Sequence, residues 1–274
     1  MEQLRGRNAL LTGAAGGIGG YIAPALAREG VNLVLSDLPS ASVEDRIETV
    51  RALGVGAEAV PADLTDTAGL EALLRGAEEA IGPIDILVNN AGLEFQGPFE
   101  GQTREELEAI VSVNLLALME LTRLAVPGML ERGRGHVLNL ASMAGKSPFP
   151  YLASYCATKH AVVGLTHSLR AEHRFDPVGF SAICPGLVGR VGMYSRIEDQ
   201  ITNRPGMRPV PPEAVAAAVV KAIREDRAEL LVNSIPARPL ATLAATAPGT
   251  VAKLLGSEQV MESAREAARA RGRL

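Results

Sequence analysis

The chain of 274 residues has no tryptophan, an aromatic content of 3% and two cysteines, Cys156 and Cys184. One pair of thiols gives no disulfide framework. Cys156 adjoins Tyr155 and Cys184 lies in an apolar run before Pro185, so both are expected to be reduced packing residues. Basic excess is also missing: the net charge is −4 and the pI near 5.7, which argues against a broad nucleic-acid surface. The four histidines, His136, His160, His167 and His173, show no chelating pattern with acidic residues, so no metal is expected. No apolar run reaches membrane-spanning length, and no signal peptide precedes the first strand. The expectation is a cytoplasmic protein with no membrane span.

What remains is rich in small and aliphatic residues. Hydrophobic residues make up 47% of the chain, Gly numbers 28 and mean hydropathy is +0.14. That composition allows a large core in which helices pack closely onto a sheet. One domain is expected, spanning residues 1–234, with a helical C-terminal extension at 235–274. The extension reads as one or two helices broken at Pro248-Gly249. Its basic finish (Arg265, Arg269, Arg271, Arg273) reads as a solvated helix face.

Along the body, apolar strands alternate with amphipathic helices. Strands are predicted at 8–11, 31–36, 57–61, 84–88, 137–141, 180–184 and 229–232. Helices are predicted at 20–28, 43–53, 68–81, 103–131, from near Tyr155 onward, and at 213–224. Thr103 with Glu106 forms a capping box at the start of the long fourth helix. The segment 189–212 reads as an irregular loop, with Pro205, Pro209, Pro211 and Pro212 crowded at its end, suited to a lid or substrate-recognition role. Alternation of this kind with nearly all-apolar strands predicts a doubly wound α/β fold, a parallel sheet covered on both faces. Ligands on such sheets bind beyond the strand carboxyl ends. The turns after Leu11, Ser36, Pro61, Val88 and Leu140 should therefore share one crevice.

The first of those turns is Thr12-Gly13-Ala14-Ala15-Gly16-Gly17-Ile18-Gly19. Strand, glycine-rich turn and helix together aim backbone N–H groups and a helix N-terminus at a pyrophosphate. The second strand ends in Asp37, at the distance where an acid bonds the ribose hydroxyls of an adenosine and repels a 2′-phosphate. NAD is therefore expected over NADP, which stays possible. Asp37 as a cap of the following helix is the competing reading.

The stretch Ser142 to Lys159 carries the chemistry. Ser142 follows a buried strand, and Tyr155 and Lys159 lie four apart on a helix, hence on one face. Bringing a phenol from a pKa near 10 to about 7 requires roughly 4 kcal/mol. An ammonium at ~4 Å in an effective dielectric of about 20 supplies about that much. The same spacing also falls on solvated helices. Here it coincides with the upstream hydroxyl and with a chain that has few lysines. Asn114, inside the long helix, needs a partner for its amide; a satisfied core amide is the alternative.

Taken together, Thr12–Gly19, Asp63-Leu64, Asn89-Asn90-Ala91-Gly92, Asn114, Ser142, Tyr155 with Lys159, and Pro185-Gly186 resemble the short-chain dehydrogenase/reductase family over roughly residues 4–233. The resemblance implies a Rossmann-type sheet of seven parallel strands and hydride transfer between a nicotinamide and an alcohol/carbonyl pair. It implies Tyr155 as general acid/base and Ser142 bonding the substrate oxygen. Lys159 would lower the phenol pKa and hold the nicotinamide ribose, and Asn114 would anchor a relay water. Gly13, Gly16, Gly17, Ile18 and Gly19 would cradle the pyrophosphate. Asp63 with Leu64 would meet the adenine, Asn90, Ala91 and Gly92 the ribose side, and Val188, after Pro185-Gly186, the carboxamide. The family often has Thr a few residues after Pro-Gly; here that neighbourhood holds Arg190, which either reaches the pyrophosphate or is solvated.

Phe95, Met143, Phe149, Tyr151, Leu187, Met193 and Tyr194 are expected on the substrate side, and their apolar character suggests an apolar secondary alcohol or ketone. A dinucleotide-binding regulator without turnover, or a sugar-nucleotide epimerase or dehydratase, are the other classes weighed. The complete Asn-Ser-Tyr-Lys set argues against the first and the short tail against the second. The family also implies a homo-oligomer, a tetramer or dimer, built on the helices carrying Asn114 and Tyr155.

Overall fold

A computed structural model describes residues 3–195, 198–201, 208–234 and 237–274. Pro205 and Ile235 lie outside the described residues. The strands are β1 (Asn8–Thr12), β2 (Asn32–Ser36), β3 (Ala57–Ala59), β4 (Ile86–Asn89), β5 (Gly135–Leu140), β6 (Val178–Pro185) and β7 (Glu229–Val232). Between them run α1 (Gly19–Arg28), α2 (Glu44–Arg51), α3 (Leu70–Ile81), α4 (Arg104–Val111), α5 (Ala117–Glu131), α6 (Ala153–Glu172), the single turn α7 (Gly192–Ser195) and α8 (Pro212–Glu225). The tail holds α9 (Arg238–Thr246), α10 (Pro248–Leu255) and α11 (Glu258–Ala270).

The seven strands form one sheet in the order β3-β2-β1-β4-β5-β6-β7, and every pairing is parallel. Strand alternation explains why both faces are covered. Ala9 and Leu11 of β1, with Leu33 and Leu35 of β2, point into a core shared with α1, α2 and α8. Leu10 and Val34, one residue out of phase, point into the opposite core with α3 and α5. The helices match this from their own period. Leu70, Leu73, Leu74 and Ala77 put one buried stripe of α3 on the sheet. The order in which strands are added reverses between β1 and β4, so the crevice lies at their carboxyl ends.

The long fourth helix departs from expectation in two ways. It is interrupted by a π turn at Ser112–Leu116, with Asn114 buried inside it. Together, Arg104–Glu131 runs 28 residues with a mean hydropathy of 1.7 over its most apolar window, long and apolar enough to cross a membrane. Its apolarity has a use in the fold: Ile110, Ala117, Leu121, Ala125 and Met129 are buried. Val111, Leu116 and Met119 stay exposed.

The tail forms three helices rather than one or two. Ala247 leaves helical geometry (φ −139°, ψ 62°) ahead of Pro248, and a second break at Gly256 lets Ser257, in extended backbone, start α11. Among the described residues of the loop after β6, α7 and a short turn at Glu198–Gln200 interrupt the expected irregular run, and Val188 bridges to Val210.

Candidate active site

A cleft of about 730 Å³ runs along the carboxyl ends of the central strands. It is lined by Gly13, Gly16, Gly17, Ile18, Gly19, Asp37, Asp63, Leu64, Asn90, Ala91, Gly92, Pro185, Gly186 and Val188. Ser142, Tyr155 and Lys159 line the same cleft, as do Met143, Phe149, Leu187, Met193 and Tyr194.

At the glycine turn, close approach leaves no room for side chains. Gly13 has φ +66°, and a Cβ there would lie 2.8 Å from the Ala91 Cα. A Cβ on Gly19 would lie 2.3 Å from the Gly13 carbonyl oxygen. The loop after β6 rests on the turn: a Cβ on Gly17 would meet the Gly192 nitrogen at 2.6 Å. No side chain caps the start of α1; the Gly20 and Tyr21 N–H groups already donate to the Gly16 and Ile18 carbonyls, so it is the backbone of the turn ahead of them, Gly16 to Gly19, that lies along the cleft. Asp37 closes the other side, accepting from the Ala15 N–H and the Leu38 N–H at 2.8 Å each. Asp63 accepts from the Thr65 N–H and hydroxyl, and these bonds hold its carboxyl below the usual range. An uncapped helix start, a bare backbone cradle and a carboxylate at the tip of β2 fit a dinucleotide.

Asn90 lines the cleft and also holds it in shape. Its amide donates to the Thr12 and Gly13 carbonyls at 2.9 and 3.0 Å and so fastens β4 to the glycine turn. Asn114 stands behind the cleft. Its Oδ1 accepts from Leu93 N–H at 2.7 Å, and its Nδ2 donates to the Leu93 carbonyl and to Thr158 Oγ1. The π turn gives the amide this position, and a Cβ on Gly92 would lie 3.4 Å from Asn114 Oδ1 and 3.6 Å from Lys159 Nζ.

Ser142, two residues past the end of β5, accepts from the Ala144 N–H at 3.1 Å and hydrogen-bonds Tyr155. Tyr155 and Lys159 share the first turns of α6. The expected effect of the ammonium on the phenol needs correction. Burial pushes the Tyr155 phenol above its usual range, the Glu94 carboxylate adds to this, and only the Ser142 bond opposes it. Lys159 Nζ lies 5.6 Å from the ring centroid and donates to the Leu140 carbonyl at 2.7 Å. Its charge is thus held behind the ring, against the sheet.

Lys159 is 4% exposed, and burial brings its pKa down from 10.5 to about 8. The unfolded chain binds this proton up to ~10. Between about pH 8 and ~10 the unfolded state therefore carries more proton than the folded one, and the unfolding free energy rises with pH there. Below that window both states are protonated and the full burial penalty is present. Urea denaturation at stepped pH should show this rise, and Lys159→Met should remove it. An identical pH slope in the variant would exclude Lys159 as its source.

Three expected residues sit elsewhere. Phe95 does not line the cleft; its ring lies under the Arg273 guanidinium at 5.9 Å, because its neighbour Glu94 takes the inward place. Tyr151, at φ +62°, bonds Arg265 of the tail. Arg190, at φ +66°, pairs with Glu213 on the protein exterior and reaches no pyrophosphate position. The basic finish divides: Arg265 and Arg269 pair with Glu258 and Glu262 on α11 itself, with Arg269 exposed as expected, while its last two arginines reach the body of the fold. Arg271 pairs with Glu94 and Arg273 with Glu106.

Several lining residues had no sequence signal: Leu93, Val113, Leu152 and, from the tail, Leu240. Glu94 had one, an acid two residues after Gly92 in an otherwise apolar stretch.

Comparison with known proteins agrees with this geometry. Residues 7–201 match the family model for short chain dehydrogenases. The chain is 40% identical over 236 residues to the ketoacyl reductase HetN of a Nostoc species, covering 86% of this chain and 82% of that protein. It is 36% identical over 224 residues to the oxidoreductase UcpA of Escherichia coli, covering 81% and 82%. A crystal structure of a short chain dehydrogenase/reductase from Burkholderia phymatum in complex with NAD superposes with a TM-score of 0.80 at 27% identity, over 91% of this chain and 96% of that one. The protein belongs to the short-chain dehydrogenase/reductase family of oxidoreductases.

Proposed function

We propose that the protein is an NAD-dependent dehydrogenase that interconverts an apolar secondary alcohol and its ketone. The observation that carries this reading is the convergence in one cleft of the Ser142 hydroxyl, the Tyr155 phenol and the buried Lys159 ammonium with the glycine turn and Asp37. A bound NAD supplies the hydride acceptor at the carbinol carbon. The chain's own groups do the rest. Ser142 and Tyr155 hold the substrate oxygen between them, and Tyr155 takes the hydroxyl proton in oxidation and returns it in reduction. Lys159 Nζ and Asn114 Oδ1, both facing Gly92, give that proton a polar route away from the phenol. Leu187, Met193 and Phe149 keep water from the reacting carbon. The glycine turn and α1 bind the pyrophosphate, and Asp37 the adenosine ribose.

The exposed Val111, Leu116 and Met119 on the α4–α5 edge support a homo-oligomeric assembly through that face.

A panel of secondary alcohols and ketones with NAD and NADP, followed by nicotinamide absorbance, tests the reading. Turnover should favour NAD. Asp37→Ala should narrow the NAD:NADP ratio of kcat/KM by roughly tenfold, the value of one charge-assisted bond. An unchanged ratio would remove Asp37 from cofactor choice.

A further inference from the structure

Glu94 is a carboxylate in a cleft wall that is otherwise apolar. Leu93, Val113, Leu152, Leu187 and Met193 line the same cleft. Its side chain is 13% exposed and that of Arg271 is 19% exposed. Arg271 Nη2 donates to Glu94 Oε1 at 2.6 Å and to the Met193 carbonyl at 3.0 Å. One guanidinium, delivered from the end of α11, thus joins the wall after β4 to the loop after β6. Behind it, Ala267 and Ala270 of α11 pack with Ile201 and Tyr194. The pair is built, buried and distant in sequence, and the acid/base chemistry assigned above has no need of it.

The position of Glu94 is set by this clamp. Oε1 is occupied by Arg271, while Oε2 has no partner among the bonds of the described residues and belongs to a side chain lining the cleft. The carboxylate's charge also raises the pKa of the Tyr155 phenol across the cleft. Burial pushes the Glu94 carboxyl up, and Arg271 opposes this. The charged and titratable groups around it are Arg271 from the tail and Tyr155 and Cys156 from α6.

Building on the dehydrogenase reading and refining its apolar substrate, we infer that Glu94, positioned by Arg271, is the specificity determinant of the substrate end: among alcohols with a largely hydrocarbon frame it selects those bearing a second hydrogen-bond donor near the carbinol carbon and rejects those bearing a carboxylate there. The physical basis is a low-dielectric site in which an acceptor without a donor is left unsatisfied. A substrate hydroxyl or ammonium satisfies it, a hydrocarbon does not, and a carboxylate is repelled.

Binding separates this inference from the reading on which it rests. In the turnover-deficient Tyr155→Phe protein saturated with NAD, calorimetry would compare cyclohexanol, vicinal cyclohexanediol and vicinal hydroxycyclohexanecarboxylate. The diol should bind about tenfold tighter than cyclohexanol, and the hydroxy acid most weakly. Adding Glu94→Gln should erase the penalty on the hydroxy acid and reduce the diol preference several-fold, with NADH affinity unchanged. Should Glu94→Gln not fold, the pair Glu94→Leu with Arg271→Met removes both charges together and is read in the same way. Arg271→Met alone should weaken the diol preference, and Arg271→Lys should restore part of it. Equal diol and hydroxy-acid ratios with and without the Glu94 carboxylate, or no binding of any of the three rings while NADH binds, would overturn the assignment. Failure of the wild type to oxidise any alcohol would count against the dehydrogenase reading alone.

Discussion

Tyr155→Phe should lower turnover by roughly 10³-fold in either direction, within the range that general acid–base groups contribute. Neither Ser142 nor Lys159 takes the place of the phenol oxygen. Ser142 already bonds it, and the Lys159 ammonium donates to Leu140. NADH binding, read by nicotinamide fluorescence, should stay within about twofold, since the glycine turn and Asp37 are untouched. The pH profile of the wild type adds a second readout. Burial and Glu94 hold the phenol above its ordinary range. Ketone reduction, which uses the protonated phenol, should therefore be flat through neutral pH, while alcohol oxidation should climb toward alkaline pH. Substantial oxidation by the variant would remove Tyr155 from the acid/base role.

Gly145→Ala should be nearly as damaging, although Gly145 carries no chemistry. It ends the turn that begins at Ser142, and a Cβ on it would lie 2.4 Å from the Lys159 carbonyl oxygen and 2.8 Å from its carbon. Both are backbone atoms, so the Ser142 turn and α6 must move apart. A displacement near 1 Å between positioned groups lowers rates by about a hundredfold, and overpacking of this kind destabilises by about 1–3 kcal/mol. Gly164, on the same helix, is the control. A Cβ there meets nothing within 4 Å, so Gly164→Ala should keep full activity and raise stability by about 0.5–1 kcal/mol. Similar kinetics for both variants would mean that the contact between turn and helix does not set the Ser142–Tyr155–Lys159 geometry.

The parts of this molecule legible in the sequence are those where local pattern and tertiary role coincide. Val137-Leu138-Asn139-Leu140 reads as a strand because only a doubly covered sheet accommodates it, and the strand then delivers Ser142 to the crevice. The spacing of Tyr155 and Lys159 specifies a shared helix face, yet it says nothing of which acceptor the ammonium finds. The Leu140 carbonyl, at the end of the fifth strand in the sheet order, decides that. Glu94 and Phe95 illustrate the other limit. Two adjacent loop residues must point opposite ways, and the choice was made by arginines more than 170 positions downstream in sequence. The break at Gly256-Ser257 was missed for a simpler reason: no proline marks it, so the amphipathic pattern on either side ran together.

The π turn at Ser112–Leu116 carries one residue more than an ordinary helical turn, and each helical residue rotates the chain by about 100°. Loss of one residue from that segment would close the turn with regular winding and leave the residues downstream in phase, so that Leu118, Leu121, Ala125 and Met129, buried now, would stay against the sheet. What would go is the wide turn that sets the Asn114 amide against Leu93 and Thr158. The surplus residue thus serves the cleft and not the packing of the helix.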